Sequence, residues 1–415
     1  MRAVHVLRKL NPVEWGGTET AIERLCSGLS QQGVDTVAYC PRLEHAPAGD
    51  PLSHSGCKVK RFRAFMPVTG ISRQRRRQLV SVGGNLMSFD LASSLWREKE
   101  AAIIHAHVLG RIGGIARIVA RRRRIPFVVS IHGGVLDLPT NVRREFNAPR
   151  GVGWEWGKIF GWIVGSRHLF RDADAIITCN EKEAALLRSS HPDKRIVVQP
   201  HGVPVDLYEK NHRQTALEAF PKIRGRQMLL CVGRIDPIKN QAWLLDQAQA
   251  IFQRHPRVML VLAGACTDEP YGELIARKIE SLGLGDRILM TGGLPPNDPR
   301  LIGLLQEAAA VVLPSVSETF GLVALEAWAA GTVVLSSRTS GPSALLRHGE
   351  NGWLFALEEP RSFHQTLDLA LSDVALARRM AGRGALVSQQ HGLGVLAARL
   401  KKLYEQLIEE KRCAT

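Results

Sequence analysis

The sequence has few cysteines, and they form no pattern that would hold a metal or a disulfide framework. The seven cysteines are odd in number and scattered, and no two of them have C-x-x-C spacing. Zinc-stabilised domains and small disulfide scaffolds use paired, regularly spaced cysteines. The cysteine content therefore favours a reducing compartment, and we expect a cytoplasmic protein.

Long apolar runs are also missing. No run reaches the roughly 18 to 20 residues that a membrane-spanning helix needs, and charges at Arg2, Arg8 and Lys9 interrupt the apolar residues of the N-terminus. We therefore expect neither a signal peptide nor a transmembrane helix. Tandem repeats and low-complexity tracts are absent as well. The composition, 45% hydrophobic and 23% charged over 415 residues, is typical of a globular protein with two domains of about 100 to 200 residues each.

The apolar runs that are present are short, and they alternate with segments of helical spacing. This alternation predicts βαβ units and parallel sheets, and hence an α/β protein of two Rossmann-like, doubly wound domains. We place an N-terminal domain at 1–205, a linker at 206–226, a second domain at 227–390 and a C-terminal helix at 391–415 that packs back on the pair. The predicted strands are 3–7, 35–40, 101–107, 126–132, 175–179, 195–202, 227–233, 257–264, 287–293, 310–315 and 332–337.

The stretch SETFGLVALEAWAAG, residues 317–331, follows the predicted strand 310–315. Ligands of open parallel sheets bind outside the carboxyl ends of the strands. If a helix begins near Thr319, its first backbone N–H groups form an anion site, and Gly321 permits close approach. The residues that would supply these groups are Phe320, Gly321, Leu322 and Val323.

Two glutamates flank this site. On one continuous helix, Glu318 and Glu326 would lie about 12 Å apart along the axis, too far for a paired acid and base. That separation suits an extended ligand with hydroxyls at both ends and anionic oxygens in the middle, as in a nucleotide-sugar. The alternative is that Glu318 is a first-turn residue favoured by the helix dipole and Glu326 a solvated helical position.

The stretch CVGRIDPIKN, residues 231–240, places Arg234 directly after the predicted strand 227–233 and Lys239 five residues later. Two fixed cations beside a helix N-terminus can neutralise a diphosphate leaving group without a metal. A solvated surface pair is the alternative, since Arg and Lys are ordinarily exposed.

Three motifs together resemble the retaining GT-B glycosyltransferases of family four. They are the GR-x4-K spacing at 233–239, the E-x7-E at 318–326 and GPSALLRHGENGWLF at 341–355. The resemblance implies two Rossmann-like domains with an interdomain cleft, a UDP- or GDP-sugar donor on the C-terminal domain and the acceptor mostly on the N-terminal one. It also implies that Arg234 and Lys239 bind the donor phosphates, Glu318 the sugar hydroxyls and Glu326 the ribose. Backbone groups of Gly293 and Leu294 would contact the base.

The resemblance extends to the N-terminal half. Gly16 and Gly17 lie at the first strand–helix junction, like the glycine loop that the family places near the donor phosphates. His132 ends the predicted strand 126–132 and is followed by two glycines, and the resemblance implies that a histidine at this position reaches the donor sugar. A histidine satisfied within the core is the alternative. Acceptor-side candidates are His107, Asp137, Asn180 and His201.

Two sequences resemble metal sites but lack the context for one. Asp172 and Asp174 form a D-x-D, yet they precede the predicted strand 175–179 and so lie at the wrong end of the sheet. His105 and His107 have alternate-residue spacing, but no further ligand cluster is visible, and His105 is expected to point into packing. We therefore predict no cofactor and no catalytic metal.

Acidic residues are scarce in one half only. Residues 1–205 contain 31 Lys and Arg against 17 Asp and Glu, and the remainder 24 against 22. Because no nucleic-acid motif and no interleaved aromatics accompany the basic runs, we predict an anionic membrane surface as their partner rather than nucleic acid. A solvated arginine-rich surface is the alternative. The predicted contacts are Arg73, Arg75, Arg76, Arg77, Arg121, Arg122, Arg123 and Arg124.

These observations, together with the family resemblance, predict a metal-independent, retaining enzyme that moves a hexose from a nucleoside diphosphate sugar to a glycan or a lipid-linked acceptor, in cell-surface polysaccharide or glycolipid synthesis. We expect it in the cytoplasm, with peripheral contacts to the plasma membrane. Two alternatives remain at this stage: a nucleotide-sugar binding module without turnover, and a sugar-nucleotide epimerase of the same fold.

Overall fold

A computed structural model describes residues 1–11, 15–42, 52–72, 86–133 and 156–414. The chain divides into two compact units. The first unit comprises Met1–His201 and Leu393–Thr415, and the second unit comprises Gly202–Gly392. All seven cysteines are free thiols. Nowhere in the described ranges is a helix both long enough and apolar enough to cross a membrane.

The first unit is built on a seven-stranded parallel sheet with the order β3-β2-β1-β4-β5-β6-β7. Most of its strands are short apolar runs rich in Val, Ile and Ala, and those at the centre are buried on both faces, as parallel sheets require. They are β1 (Arg2–Val6), β2 (Asp35–Pro41), β3 (Lys58–Phe62), β4 (Ala101–Ala106), β5 (Phe127–Ile131), β6 (Ala175–Thr178) and β7 (Ile196–Val198).

Helices cover both faces of this sheet. The C-terminal helix, Leu393–Cys413, packs against the helix Gly17–Gln31 and beside β4, where Leu400 and Tyr404 are buried under Ile103 and Val128. The predicted C-terminal helix thus belongs to the first unit. The helices of this unit are α1 (Gly17–Gln31), α2 (Phe89–Arg97), α3 (Gly110–Arg123), α4 (Lys158–Ile163), α5 (Leu169–Asp172), α6 (Glu181–Ser190) and α17 (Leu393–Cys413), with 3₁₀ turns at Ser53–Ser55 and Ser166–His168.

The second unit holds a six-stranded parallel sheet with the order β10-β9-β8-β11-β12-β13. Strand β9, VMLVLA, is buried over its whole length, which explains its uninterrupted apolar sequence. The strands are β8 (Gln227–Val232), β9 (Val258–Ala263), β10 (Ile288–Gly292), β11 (Ala310–Leu313), β12 (Val334–Ser337) and β13 (Trp353–Phe355).

Residues 206–226, predicted as a linker, carry helices of the second unit. One of these helices, α8, packs along α12, and the Gln306 side chain donates to the carbonyls of Tyr208 and Lys210. The helices of this unit are α7 (Val205–Glu209), α8 (Arg213–Ala219), α9 (Gln241–Asp246), α10 (Ala248–Arg254), α11 (Glu269–Ser281), α12 (Pro299–Glu307), α13 (Leu322–Ala329), α14 (Ser340–Leu345), α15 (Pro360–Ser372) and α16 (Val374–Gln390), with a 3₁₀ turn at Pro221–Ile223.

Both strand orders reverse once. In the first sheet the reversal lies between β1 and β4, and in the second between β8 and β11. The connections that follow these strands diverge to opposite faces, which opens a crevice at the carboxyl ends where ligands of such sheets bind. The functional residues are therefore expected at these two switch points.

Candidate functional site

The loop after β8 brings Arg234 and Lys239 to the switch point of the second sheet, together with a carboxylate that the sequence analysis did not single out. Asp236 is nearly buried, and its Oδ2 lies 3.0 Å from Arg234 Nη2. Its Oδ1 accepts the backbone N–H of Lys239 at 3.0 Å. Asp236 therefore fixes both cations, one by an ion pair and the other through its backbone. The Asp-Pro dipeptide that begins the turn is the sequence signal that could have indicated it.

This loop is hydrogen-bonded to the loop that follows β11. The Asn240 amide donates to the carbonyl of Pro314 at 3.2 Å, and the Val316 N–H donates to the carbonyl of Ile238 at 2.8 Å. The two connections at the switch point are thus held in one register. Side chains on both are positioned by backbone contacts rather than by long flexible segments.

Glu318, on the second of these loops, forms an ion pair with Lys239. Both side chains are about four-fifths buried. The Glu318 carbonyl accepts the N–H of Gly341 at 2.8 Å and the hydroxyl of Ser340 at 3.3 Å. A Cβ at position 341 would lie 2.3 Å from the backbone nitrogen of Phe320. The start of the sequence motif at 341–355 therefore supports the loop that carries Glu318.

The helix after Glu318 begins at Leu322, three residues later than predicted. Gly321 precedes it with φ +92°, a left-handed conformation that favours glycine and that ends the extended loop. The first-turn N–H groups are therefore those of Leu322 and Val323, which have no acceptor within the helix. Gly321 contributes as the N-cap, and Phe320 lies in the loop, so the anion site is shorter than the sequence predicts.

This start also corrects the predicted geometry of the two glutamates. Glu318 lies outside α13, so a helical rise does not describe its separation from Glu326. Glu326 lies within α13, which is apolar and buried on nearly all sides, and its own side chain is nearly buried. The interpretation of Glu326 as a solvated helical position is therefore wrong. Trp328 anchors the helix by donating its indole N–H to the Asn351 carbonyl at 3.0 Å.

The predicted base-contacting residues follow β10, two strands away from β8. The carbonyl of Gly292 accepts the N–H of Gly264 at 3.1 Å, and a Cβ at Gly293 would lie 2.9 Å from the Cβ of Ala265. Gly293 is exposed and Leu294 is half-buried. Both residues therefore lie at the carboxyl edge of the sheet, the same edge as the loops that follow β8 and β11.

At the first sheet, the predicted glycine pair begins α1. Gly16 is the N-cap, and its N–H donates to the Glu19 carboxylate at 3.1 Å. Gly17 is the first helical residue. Glu19 is buried, with Lys9 Nζ 3.8 Å from its other oxygen. This junction is closed by its own capping interaction, so Gly16 has a structural role, and its contact with the donor stays a prediction.

A chain of histidines crosses the switch point of the first sheet. His132 lies directly after β5, and its Nε2 is 2.8 Å from Nδ1 of His107. The Nε2 of His107 is in turn 2.9 Å from Nδ1 of His5, in β1. His201 stacks on His132 with ring centroids 5.4 Å apart. Three of the predicted residues, His107, His132 and His201, are therefore brought together, and His5 is an additional member.

Burial keeps these rings neutral. Burial lowers the pKa of His5 to about 4, and burial, with a smaller effect of the Arg8 charge, lowers the pKa of His132 to about 4. The pKa of His107 and that of His201 lie well below the ordinary value for the same primary reason. At neutral pH each ring therefore carries one proton, which limits it to one donor and one acceptor.

Three of the histidines lie close enough to hold a metal ion. Ligand atoms of His5, His105 and His107 all lie within 4.8 Å of one another. However, His105 already contacts the Tyr404 hydroxyl at 2.5 Å and the Ser130 hydroxyl at 2.6 Å. Both nitrogens of His107 are also engaged. A metal would have to displace these hydrogen bonds, so the arrangement fits a hydrogen-bonded core better than a ligand set.

The remaining predicted positions have local structural roles or lie outside the described residues. Asn180 caps α6 by accepting the N–H of Glu183 at 2.8 Å, and Asp137 falls in a range that the structure does not describe. In the D-x-D sequence, Asp172 accepts from Arg117 Nε at 2.7 Å, and Asp174 accepts from Lys411 at 2.7 Å. Both aspartates thus tie helices to the first unit.

Two of the four arginines at the end of α3 form hydrogen bonds within the first unit, and the other two are exposed. Arg121 donates to Asp172 at 2.8 Å, and Arg123 donates to the carbonyls of Leu95 and Glu98 at 3.0 and 2.8 Å. Arg122 and Arg124 are exposed. The second predicted cluster falls on residues that lie outside the description, namely Arg73, Arg75, Arg76 and Arg77.

Both halves of the chain match known family descriptions. Residues 212–386 match the family "Glycosyl transferases group 1", and residues 16–202 match "Glycosyl transferase 4-like domain". The two matches meet near the boundary between the two units and together span most of the chain.

Individual proteins agree with this. A D-inositol 3-phosphate glycosyltransferase of Nocardiopsis dassonvillei is 31% identical over 290 residues, which is 67% of this chain and 64% of that relative. The Corynebacterium glutamicum protein of the same name is 24% identical over 95% of this chain and 92% of its own. The crystal structure of Anabaena Alr3699/HepE in complex with UDP and glucose is similar in fold, with a TM-score of 0.73, 17% identity, and coverage of 97% of this chain and 99% of that one. The chain therefore belongs to the group 1 glycosyltransferases of family four, with the GT-B fold of two Rossmann-like units.

Proposed function

We propose that the protein transfers a hexose from a nucleoside diphosphate sugar to an acceptor hydroxyl, with retention of configuration and without a metal ion. One observation carries this proposal. Lys239 and Glu318, which are 79 residues apart in the chain, form an ion pair beside Arg234 and the first turn of α13. Cations, a carboxylate and free backbone N–H groups at one switch point match the parts of a nucleoside diphosphate sugar.

The cations of this site serve the diphosphate. As the bond between the anomeric carbon and the phosphate oxygen breaks, negative charge develops on the leaving diphosphate. Arg234, Lys239 and the N–H groups of α13 are held by the fold before the reaction, so they stabilise that charge with little reorganisation. They do the work that Mg²⁺ does in other phosphate-transfer sites.

The carboxylates set how strongly the resting site attracts an anion. Arg234 and Lys239 each contact a carboxylate, so the site is close to electroneutral rather than strongly positive. A donor must therefore share Lys239 with Glu318. Such sharing places the Glu318 carboxylate beside the β-phosphate, where the hydroxyls of the attached sugar can donate to it. Glu326, nearly buried on α13, is the partner that we assign to the ribose.

The first unit is the part of the protein that we expect to bind the acceptor. Its excess of basic residues suits a phosphate-bearing acceptor or an anionic membrane that holds a lipid-linked one. The relatives' name, D-inositol 3-phosphate glycosyltransferase, makes a soluble phosphorylated polyol the second acceptor class to test. Synthesis of cell-surface polysaccharide or glycolipid in the cytoplasm, at the membrane, is the setting that we propose.

A surface of the first unit supports the membrane contact. The rings of Phe65, Phe89, Trp156 and Phe160 form one cluster with centroids 5.6 to 6.5 Å apart. On the adjoining α4, Trp162 is 83% exposed, with Ile159 and Ile163 also exposed. Residues 156–171 contain Lys158, Arg167 and Arg171, and the next residue, Asp172, pairs with Arg171. Exposed tryptophan with basic residues is typical of segments that lie in a membrane interface. We call this the aromatic surface.

The test is a transfer assay with labelled UDP- and GDP-sugars, in EDTA and in Mg²⁺. The acceptors are neutral glycans, polyprenyl phosphate and inositol 3-phosphate. We expect transfer in EDTA, and an anomeric configuration in the product that matches the donor by NMR. Transfer that is lost in EDTA would contradict the metal-independent chemistry, and an inverted product would contradict retention. Nucleotide binding without turnover would support a binding module, and conversion of the donor alone would support an epimerase.

A further inference from the structure

The histidine chain of the first unit has unpartnered nitrogens at both of its ends. At one end the Nε2 of His5 is buried and has no hydrogen-bond partner in the described residues. At the other end the Nδ1 of His132 is buried and equally unpartnered within those ranges. Between them run two contacts, His5 to His107 at 2.9 Å and His107 to His132 at 2.8 Å. The chain is therefore a continuous line of three rings.

The number of protons allows this line only two arrangements. A neutral imidazole has one N–H and one lone pair, and each contact needs one donor and one acceptor. The central ring, His107, must therefore donate in one direction and accept from the other. Either every proton points toward His132, or every proton points toward His5. The first arrangement leaves an N–H on His132 Nδ1, and the second leaves an N–H on His5 Nε2.

The location of the two ends decides between these arrangements. An unpaired buried N–H is costlier and rarer in proteins than an under-used acceptor. His5 lies within β1 and is fully buried, so an N–H there would never find a partner. His132 follows β5 at the carboxyl edge of the sheet and is only partly buried as a residue. An N–H there can be satisfied by a bound ligand.

We propose that His5 and His107 are positioning residues that hold His132 as its Nδ1–H tautomer, so that this ring donates a hydrogen bond to a ligand oxygen. His5 donates from Nδ1 to His107, and His107 donates from Nδ1 to Nε2 of His132. The assignment of that ligand oxygen to the donor sugar rests on the proposed function. The tautomer itself does not.

The test is a nitrogen NMR measurement on the whole protein, labelled with ¹⁵N in the histidine side chains, at pH 7. Long-range proton–nitrogen correlations distinguish a protonated Nδ1 from a protonated Nε2, and the signals of His132 are assigned by their loss in His132→Gln. Histidine free in water prefers the Nε2–H form. We expect the opposite, Nδ1–H, for His132 of the wild-type protein. A protonated Nε2 would overturn the proposal without any variant.

Two variants and a matched control separate positioning from general packing. His107→Phe should lower the Nδ1–H fraction of His132 from nearly all molecules to about half or less, because the donor to Nε2 is lost. If His107→Phe fails to fold, His5→Phe replaces it, and we expect this variant to produce a mixture of His132 tautomers. The control is Tyr404→Phe. It removes the hydroxyl that contacts His105, a ring of the same cluster, but leaves His5, His107 and His132 and the contacts between them unchanged. An unchanged tautomer in both chain variants, or an equal change in the control, would contradict the proposal.

A ligand arm distinguishes failure of this inference from failure of the proposed function. Addition of UDP-glucose should shift the Nδ1–H signal of wild-type His132, whereas UDP alone should leave it nearly unchanged. If the tautomer is as expected but UDP-glucose shifts nothing, the positioning by His107 stands and the sugar contact of His132 is wrong.

Discussion

The two switch points of this molecule have the same topology and opposite chemistry. At the second sheet, the loops after β8 and β11 carry paired charges: Arg234 with Asp236, and Lys239 with Glu318. At the first sheet, β1, β4 and β5 contribute neutral histidines linked ring to ring. The strand order therefore determines where a ligand can bind, and the residues just beyond the strand ends determine what kind of ligand it is.

The difference follows from the free energy of burying each kind of group. Charged side chains tolerate partial burial when each has an opposite partner and some solvent, as the four groups of the second unit have. The histidines of the first unit are more deeply buried and lose their charge instead, because burial lowers their pKa. The switch point of the second unit therefore presents paired charges, while that of the first unit presents directed hydrogen bonds.

The largest expected effect comes from removing the charge of Lys239. Lys239→Met keeps an unbranched side chain but leaves Glu318 without its cation, and the leaving diphosphate loses a preorganised donor. We expect kcat/KM for transfer to fall by about 10² to 10³-fold. The matched control is Lys278→Met, which removes a lysine that is paired with Asp246 elsewhere in the second unit. An equal loss in both variants would mean that the effect is not specific to the switch point.

Substitution of the two glutamates should affect nucleotide binding and sugar transfer differently. Glu326→Ala should weaken binding of free UDP or GDP by about 10-fold or more, the value of a hydrogen bond to a charged group. Glu318→Ala should leave free nucleotide binding unchanged or tighter, because Lys239 is released to the phosphates, yet it should reduce transfer. Calorimetry with the nucleotide and with the nucleotide-sugar measures both. Equal weakening of free nucleotide by the two variants would refute the assignment.

The histidines should make the first unit more sensitive to acid than the second. Folded His5 and His132 stay neutral down to a pKa of about 4, whereas the unfolded chain binds protons below about pH 6.5. The unfolded state therefore holds more protons between these values. As the pH is lowered through this range, the free energy of unfolding decreases by about 1.4 kcal/mol per pH unit for each histidine. The charges of Arg8 and Arg24, which face His132 and His201, act in the same direction.

Hydrogen exchange of backbone amides at pH 7, 6 and 5 measures this difference unit by unit. After correction for the intrinsic rate, β1 and β4 should lose protection as pH falls, and β8 and β9 should lose less. His5→Phe should reduce the slope of the first unit by about 1.4 kcal/mol per pH unit, and replacement of the exposed His168 by Gln serves as its control. Parallel loss of protection in both units would contradict the prediction.

The smallest effect concerns membrane binding by the aromatic surface and by the exposed arginines at the end of α3. Arg122→Gln and Arg124→Gln, made singly, should each weaken co-sedimentation with anionic vesicles by several-fold, since each basic residue contributes about 1 kcal/mol near anionic lipid. Trp162→Ala should have an effect of similar size, because its exposed indole is lost from the interface. Raising the salt from 0.1 to 1 M should abolish the arginine part, because the Debye length falls from about 10 to about 3 Å. Leu386→Ala, in the second unit, is the control. Equal binding to neutral vesicles, or tighter binding of RNA, would contradict a membrane contact.

Most of the fold could be predicted from the sequence because its central strands are buried on both faces. Each of the eleven predicted runs overlaps a strand, whereas β3 and β13 were not predicted. Both missed strands lie at a sheet edge. Strand β3, KVKRF, carries the charges that edge strands use against unwanted pairing, and β13 has only three residues. Strand β3 therefore lacks the apolar pattern on which the prediction depends, whereas β13, WLF, is apolar but too short to be recognised by itself.

The candidate site could be predicted in part. Motif spacing located Arg234, Lys239 and Glu318, but spacing could not show that Lys239 and Glu318 form an ion pair. The start of α13 was placed too early because the left-handed conformation of Gly321 ends the loop, and a glycine between apolar residues does not by itself indicate this. His5 was missed because it lies within a strand, and only the register of β1 with β4 brings it beside the other histidines.

A crystal structure of the protein with UDP-glucose, grown in EDTA, tests the central claim most directly. The account predicts that the diphosphate lies at the carboxyl ends of β8 and β11, with its oxygens within hydrogen-bond distance, about 2.7 to 3.2 Å, of Lys239 Nζ and of the first-turn N–H groups of α13. Glu318 should accept from hydroxyls of the glucose. A diphosphate bound away from Arg234 and Lys239, or a complex that forms only when a metal ion bridges the phosphates, would contradict it.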